Sequence, residues 1–219
     1  MKETVLLEPA GSARRKIYQA ALKVFAENGG SDISVSELAE AAGIARGTIY
    51  NNIDEPERLF AKVSGALSHE MIKRTEATMA GIQDPARRIA TGMRLFVRRA
   101  HEEQDWGRFL VRFAFGQSAL EALLKEPPAR DIREAIASKR FKVDAAYAPT
   151  LVSMLNGATM AAMSGVINGD QTWRDAGSKA AELFLRAGGL AAREARTIAY
   201  AELPPLAPAP SQPTKRKKP

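Results

Sequence analysis

Apolar positions recur at helical spacing along almost the whole chain. From Arg14 to Asn28, the residues Ile17, Ala20, Ala21, Val24 and Phe25 form one stripe at i, i+3, i+4, i+7 and i+8, as an amphipathic helix requires. Gly29-Gly30 ends that helix. Ser34, with Glu37 three residues on, reads as a capping box opening a second helix over Val35–Ala42, which stops at Gly43. A short helix follows over Arg46–Asn52. Asp54 and Pro56 then combine a cap with an early proline, predicting a long helix towards Met79. Beyond Gly81 the pattern predicts Pro85–His101, then Trp106–Lys125 with a break at Gly116, then Ala129–Lys142 after Pro127-Pro128. Pro149–Asn168, Trp173–Ala187 and Ala191–Ala201 complete the series. No alternating run of β-branched or aromatic residues flanks a hairpin turn. The expected fold class is all-α.

Composition narrows the chemistry. The 219 residues are 45% apolar and 26% charged, enough for a real core in one or two compact units. Absence of cysteine excludes disulfides, thiolate metal sites and a cysteine nucleophile. The two histidines, His69 and His101, fall in different predicted helices and offer neither a metal set nor a triad, so no metal and no cofactor are expected. The first nine residues carry no apolar run of signal-peptide length, and a cytoplasmic location is expected. Residues 145–169 are uncharged and long enough to span a bilayer. They are, however, mostly Ala, Gly, Ser, Thr and Met, with Pro149, Asn156 and Asn168 among them, which reads as a protein-buried helix and not a membrane span.

The net charge of +7 is unevenly spread: residues 1–53 carry six basic and six acidic side chains, and residues 54–202 carry 22 and 19. Lys215, Arg216, Lys217 and Lys218 supply all of the remainder. From Leu203 onward proline, alanine and lysine dominate, so 203–219 is expected to be a disordered tail adding at most nonspecific attraction to phosphates. Net charge alone is weak evidence for nucleic-acid binding.

The informative segment is Ser34 to Ile53. Two helices of about eight and seven residues meet at a turn containing Gly43. Leu38, Ala39 and Ala42 face Ile44, Ile49 and Ile53, and the small alanines let the axes approach, as a helix-turn-helix requires. The second helix carries Arg46, Thr48, Tyr50 and Asn51 or Asn52 on or near its outer side, donors suited to phosphates and base edges, with no acid among them. Gly47 disfavours a helix by about 1 kcal/mol; close approach of backbone to DNA is a reason to keep it. The bland alternative is a helical hairpin with a solvated polar face.

Residues 12–60 resemble the DNA-binding domain of the TetR (tetracycline repressor-like) family of bacterial regulators. The resemblance is carried by Ala20-Ala21-Leu22-Lys23-Val24-Phe25-Ala26-Glu27-Asn28-Gly29, by Val35-x-x-Leu38-Ala39-x-x-Ala42-Gly43-Ile44, by Arg46-Gly47-Thr48-Ile49-Tyr50 and by Leu59-Phe60. It implies that Ser34 and Ser36 contact phosphates and that Arg46 and Thr48 read base edges in the major groove. It implies also that Tyr50 and Asn52 bind phosphates at the groove wall, with Gly47 against backbone or base. Two departures stand out: Ile53 where the family usually has Phe, and Pro56 where it usually has a phosphate-anchoring Lys. That contact then falls to Asn51, Asn52 or Lys62.

Ser153, Gly157, Ala161 and Gly165 form a small-residue stripe on the uncharged helix, open to packing within one subunit or between two. The resemblance implies a homodimer through a four-helix bundle, pairing this helix with the one bearing Ala180, Leu183, Phe184 and Ala187. Seven arginines (Arg87, Arg88, Arg94, Arg98, Arg99, Arg108, Arg112) face only Glu102, Glu103 and Asp105 within 87–112. They read as an ion-paired solvated face or as a pocket for an anionic effector. Met93, Arg94, Phe96, Arg98, Phe113, Met154 and Trp173 are the candidate effector contacts, the soft apolar ones being equally at home in a core.

The expected organisation is a helix-turn-helix domain at 12–64, a ligand-binding and dimerisation domain at 65–202, and the tail. The expected function is a sequence-specific transcription regulator, a repressor released from a palindromic double-stranded operator by a small molecule. Rival readings are an all-α enzyme acting on an anionic substrate, and a constitutive DNA binder without effector. The enzyme lacks an acid–base set and a Gly-rich phosphate loop. The constitutive binder leaves roughly 140 residues unexplained.

Overall fold

The computed structural model describes residues 12–116 and 118–209, and among these it is all helical. The helices are α1 (Ala13–Asn28), α2 (Val35–Ala42), α3 (Arg46–Asn52), α4 (Leu59–Met79), α5 (Pro85–Glu102), α6 (Gln104–Phe113), α7 (Ser118–Ala137), α8 (Ala148–Ile167), α9 (Trp173–Ala187) and α10 (Ala192–Ala199). Local chemistry sets most boundaries. The Ser12 hydroxyl accepts from the Arg15 N–H to start α1. Ser34 and Glu37 make both halves of the capping box on α2, at 3.1 and 2.9 Å. Asp84 caps α5 ahead of Pro85, and Thr172 caps α9.

Two cores hold the helices together. The first runs from Ile17, Phe25, Leu38 and Ile49 of the N-terminal helices through Leu59, Leu67 and Met71 of α4 to Phe109 and Leu110 of α6 and Met163 of α8. The second joins α5, α8, α9 and α10 around Ile89, Phe141, Phe184 and Leu185. Helix α4 is continuous through residues 64 and 65, where the domain boundary was expected, so the N-terminal helices (the reading unit below) and the larger domain share one rod.

Helix α7 departs from expectation. The sequence predicts a break at Pro127-Pro128, yet α7 runs through both to Ala137. Two interior prolines remove two N–H donors and free the carbonyls four residues before them, at a cost of about 3 kcal/mol or more for each. One freed carbonyl, that of Leu124, accepts from Asn156 Nδ2 on α8 at 2.8 Å in a buried setting. Leu120, Leu123, Leu124, Ile132 and Ala135 of the same helix are buried, and full burial is worth about 1.5–3 kcal/mol for each large side chain. Burial plus a donor from outside outweighs the missing backbone bonds.

The tail expectation is corrected for 203–209, while Lys215–Lys218 lie outside the described residues. The chain leaves α10 beside α5, where Arg94 Nη1 donates to the Ala201 carbonyl at 2.7 Å. Leu203 and Leu206 then pack on the first core. Ala207 bonds α4 twice, its carbonyl to Arg74 Nε at 2.7 Å and its N–H to Thr78 Oγ1 at 2.8 Å. This strap is ordered because paired backbone groups and two leucines compensate for its lost freedom.

The arginine-rich stretch is mostly a set of staples. Arg99 is buried on Glu70 and Glu103, with its guanidinium 4.5 Å above the Trp106 ring. Arg88 binds Asp131 and Glu134, Arg98 binds Glu102, Arg108 lies by Asp105 and Arg112 binds carbonyls of α1. Asp84 bonds Arg140, which also reaches Glu194 of α10. Burial alone would raise the Asp84 carboxyl, but the Arg140 bonds, the Ala86 N–H and the charges of Arg140 and Arg87 hold it below its usual value.

Two outcomes follow. Ending the chain after Glu202 removes two leucine contacts and two hydrogen bonds, and should cost about 2–3 kcal/mol, a fall of roughly 5–10 °C in melting temperature by calorimetry. A depressed Asp84 contributes stability that is present above the ordinary carboxylate value near 3.8 and is lost as pH falls through the lower folded value. Arg140→Ala should therefore lower the melting temperature at pH 7 and flatten its dependence on pH below about 4.

Candidate nucleic-acid interface and effector cavity

The geometry of α2 and α3 depends on the turn between them. Gly43 sits at φ +64°, in the left-handed region that side-chain-bearing residues avoid, and its N–H closes on the Ala39 and Glu40 carbonyls. The chain then enters α3 from Ala45. Leu38, Ala39, Ile49 and Ile53 are buried in the first core and hold the two helices against α1.

The opposite side of α3 is open. Arg46, Gly47, Tyr50 and Asn51 are exposed, Tyr50 at 62%. The polar ends of Arg46, Tyr50 and Asn51 have no partner among the described residues. A Cβ added at Gly47 would meet nothing within 4 Å, so what glycine provides there is room on the outer face. Thr48 is half-buried, and Asn52 spends its amide N–H on the Thr48 carbonyl at 2.8 Å. Ser34 accepts from Glu37 N, and Ser36 is half-buried beside it. The bond from Ser34 holds the exposed Glu37 carboxyl below its usual value. Of the three groups expected to stand in for the family's lysine, Lys62 is paired with Glu55 at 3.2 Å, Asn52 keeps one amide hydrogen beyond its bond to Thr48, and Asn51 is exposed to solvent.

The reading unit is joined to the larger domain by four rings. Phe60 of α4 meets Phe25 of α1 edge-on at 4.9 Å and Phe113 of α6 at 4.9 Å, while Phe109 lies 5.4 Å from Phe60. Arg112 closes the joint by donating to the Ala26 and Glu27 carbonyls at 2.9 and 3.1 Å. Phe113, expected at the effector, belongs to this junction.

In the larger domain a cavity of about 70 Å³ lies between α4, α5, α7 and α8. Met79, Met93, Phe96 and Met160 form much of its wall, with Thr75, Asn156 and Thr159 as polar groups and Arg88–Asp131 at one side. Outside it, a groove of about 990 Å³ runs between α7 and the start of α8. Leu124 and Asn156 line both spaces and form the partition between them.

Of the expected effector contacts, Met93 and Phe96 line this cavity. Arg94 lies elsewhere on α5, buried under the strap, and desolvation lowers its guanidinium pKa. Arg98 and Trp173 meet at the surface, 5.4 Å apart, and Met154 is 46% exposed. Arg94 and Arg98 therefore do not reach the cavity, because the helical turn of α5 carries them to its other faces, whereas Arg88 of the same arginine set lines it, paired with Asp131 and Glu134. Sequence reasoning missed Thr75, Asp131, Asn156 and Thr159; a single carboxamide in the middle of a charge-free helix was the available signal.

On α8 the stripe is open: Ser153, Gly157 and Ala161 are exposed and Gly165 is half-buried. Ala180 is half-buried on α9. Phe184, expected at the same interface, is instead 4% exposed and packs on Phe141 of its own subunit at 6.1 Å, and the neighbouring Leu183 points outward at 63% exposure. Helix α8 is the one described segment long and apolar enough to cross a membrane by length and composition. Here its inner face packs on α5, α6, α7 and α9.

Residues 17–52 match the family described as bacterial regulatory proteins, tetR family, and residues 84–201 match the tetracyclin repressor-like C-terminal domain, together well over half of the chain. The HTH-type transcriptional regulator AcrR of Shigella flexneri is 36% identical over 56 residues, which is 26% of this chain and 26% of that relative. Among solved structures, RolR in complex with resorcinol is 26% identical, covers 89% of this chain and 96% of its own, and superposes with a TM-score of 0.61. A putative tetR-family regulator from Shewanella sp. PV-4 shares the fold at 18% identity, covering 80% of this chain and 97% of its own with a TM-score of 0.67. Reading unit, larger helical domain and relatives agree, and the chain belongs to the TetR family of bacterial transcriptional regulators.

Proposed function

We propose that the chain is a dimeric, ligand-responsive repressor. In this reading α2 and α3 dock on a palindromic operator, and a small molecule in the cavity between α4, α5, α7 and α8 releases them. The observation that carries it is the span of α4. Leu59 and Phe60 at its start pack in the core of the reading unit, and Thr75 and Met79 near its end line the cavity. A ligand shifts a conformational equilibrium only by its differential affinity for the two states. A rigid rod touching both sites gives such a difference a direct mechanical route, and couplings of this kind are commonly about 1–3 kcal/mol, or 5–150-fold in DNA affinity. The resorcinol-bound relative supports an effector role for the larger domain.

As a member of a family of transcriptional regulators, the chain is not an enzyme. Arg46 and Thr48 act as base readers and Ser34, Ser36, Tyr50, Asn51 and Asn52 as phosphate contacts, with Gly47 against the groove. The exposed edge of α8, with Leu183 and the half-buried Ala180 of α9, pairs two subunits and sets the distance between two reading helices, about 34 Å for successive turns of DNA. The protein works on DNA in the cytoplasm. A gel shift on the chain's own promoter region, repeated with a small-molecule panel, tests the whole reading. A compound that raises the melting temperature and weakens DNA binding together supports it; stabilisation with unchanged DNA affinity leaves a constitutive binder.

Removal of the two exposed side chains of α3 should differ in kind. Arg46→Ala should cost about 1–3 kcal/mol on the cognate duplex and much less on a scrambled one, whereas Tyr50→Phe should weaken both alike. Equal losses for Arg46→Ala on both duplexes reject base reading. On α8, Gly157→Leu or Ala161→Leu should overpack the subunit contact by about 1–3 kcal/mol, giving more monomer in sedimentation and weaker operator binding. A dimer that tolerates both places the interface elsewhere.

A further inference from the structure

Around the inner cavity the free acceptors outnumber the free donors. Arg88 donates Nε to Asp131, Nη1 to the Ile82 and Gln83 carbonyls, and Nη2 to Glu134. One Arg88 Nη2 hydrogen is left over, and Asn156 donates one of its two Nδ2 hydrogens to the Leu124 carbonyl. That carbonyl accepts only from a donor, so the amide orientation is fixed and Oδ1 is the atom left over; it has no partner among the described residues. Thr75 Oγ1 donates to the Met71 and Ile72 carbonyls, and Thr159 Oγ1 to the Leu155 carbonyl. Each hydroxyl retains lone pairs and has no spare hydrogen. Asp131 accepts from Arg88 and Arg130 through Oδ1 alone.

From this pattern we infer that the cavity selects a compact, uncharged ligand that donates hydrogen bonds, of the phenol or small cyclic alcohol type, and rejects carboxylates. The inference deepens the proposed effector role and rests on it for its regulatory consequence. An anion entering here would find acceptor oxygens and a guanidinium already shared among two carboxylates and two carbonyls. The donors left to it are one hydrogen each on Asn156 Nδ2 and Arg88 Nη2, the second on a cation already neutralised by Asp131 and Glu134, while the threonine hydrogens are committed to helix carbonyls. A ligand hydroxyl instead finds Asn156 Oδ1 and the threonine lone pairs without breaking anything. Size sharpens the choice: about 70 Å³ is open, whereas an apolar cavity of about 150 Å³ holds a benzene ring. The deformable side chains of Met79, Met93 and Met160 can yield the difference for one ring. A long acyl chain would need far more.

The test uses the full chain and three probes of nearly one size: phenol, anisole, which has no donor, and benzoate, which is an anion. Binding is read by calorimetry and thermal shift, and DNA release by gel shift on the operator. Phenol should bind about tenfold more tightly than anisole and weaken operator binding, with no response to benzoate. Thr159→Val and Thr75→Val remove an acceptor at nearly constant volume. At least one should erase most of phenol's advantage over anisole while the unfolding transition stays cooperative. Anisole binding as well as phenol, benzoate binding more tightly, no probe binding at all, or both variants keeping the wild-type preference would each overturn the inference. If an acid binds and releases DNA, the effector reading stands without this selectivity. If phenol binds as expected and DNA affinity does not move, the selectivity stands and effector release falls.

Discussion

The orientation of the reading helices depends on the packing of Phe25, Phe60, Phe109 and Phe113. These rings come from α1, α4 and α6, and their contacts lie within 4.9–6.4 Å of each other. Aromatic pairs of this kind are worth about 0.5–1.5 kcal/mol each beyond the area they bury. More important is that they leave no plane along which the small domain can slide freely. Arg112 adds a directional constraint by holding the end of α1 through two carbonyls. Any displacement of α4 or α6 must therefore move α1, and with α1 the helices that pack on it.

The second constraint lies at the prolines of α7. A helix that passes through two adjacent prolines is weak at that turn, and Asn156 of α8 supplies one of the missing bonds from outside. Leu124 and Asn156 also divide the inner cavity from the outer groove. The turn of α7 weakened by the prolines and the wall of the cavity are the same place. Stability of α7 and access to the interior are consequently linked through one carboxamide.

The N-terminal helices were legible in the sequence because their boundaries are written in adjacent residues: Ser34 and Glu37 cap one helix, Gly43 turns the chain, and Ile49 and Ile53 fall at helical spacing. The exposed face of α3 was legible for the same reason. What escaped is non-local. Nothing near Pro127 announces a donor located 32 residues from Leu124. The strap resembles a loose tail in composition, and its partner Arg74 is 133 residues away. The arginines of 87–112 were legible as a charged cluster, but their separate fates were decided by which carboxylates and carbonyls the other helices brought near. For the effector contacts, spacing identified Met93 and Phe96 as inward-facing, and the contribution of α4, α7 and α8 to the same cavity came only with their packing.

The strap also bears on how the chain is made. Arg74 must wait for Ala207, and ribosomes add about 5–20 residues per second, so roughly 7–27 s separate the two ends of that bond during synthesis. Helices α1 to α3, whose mutual contacts are local, can pack on one another long before. The lower part of α4 is left with Arg74 and Thr78 lacking their strap contacts until Ala207 has emerged. In the cell the N-terminal helices are therefore assembled well ahead of the completed rod to which they are attached.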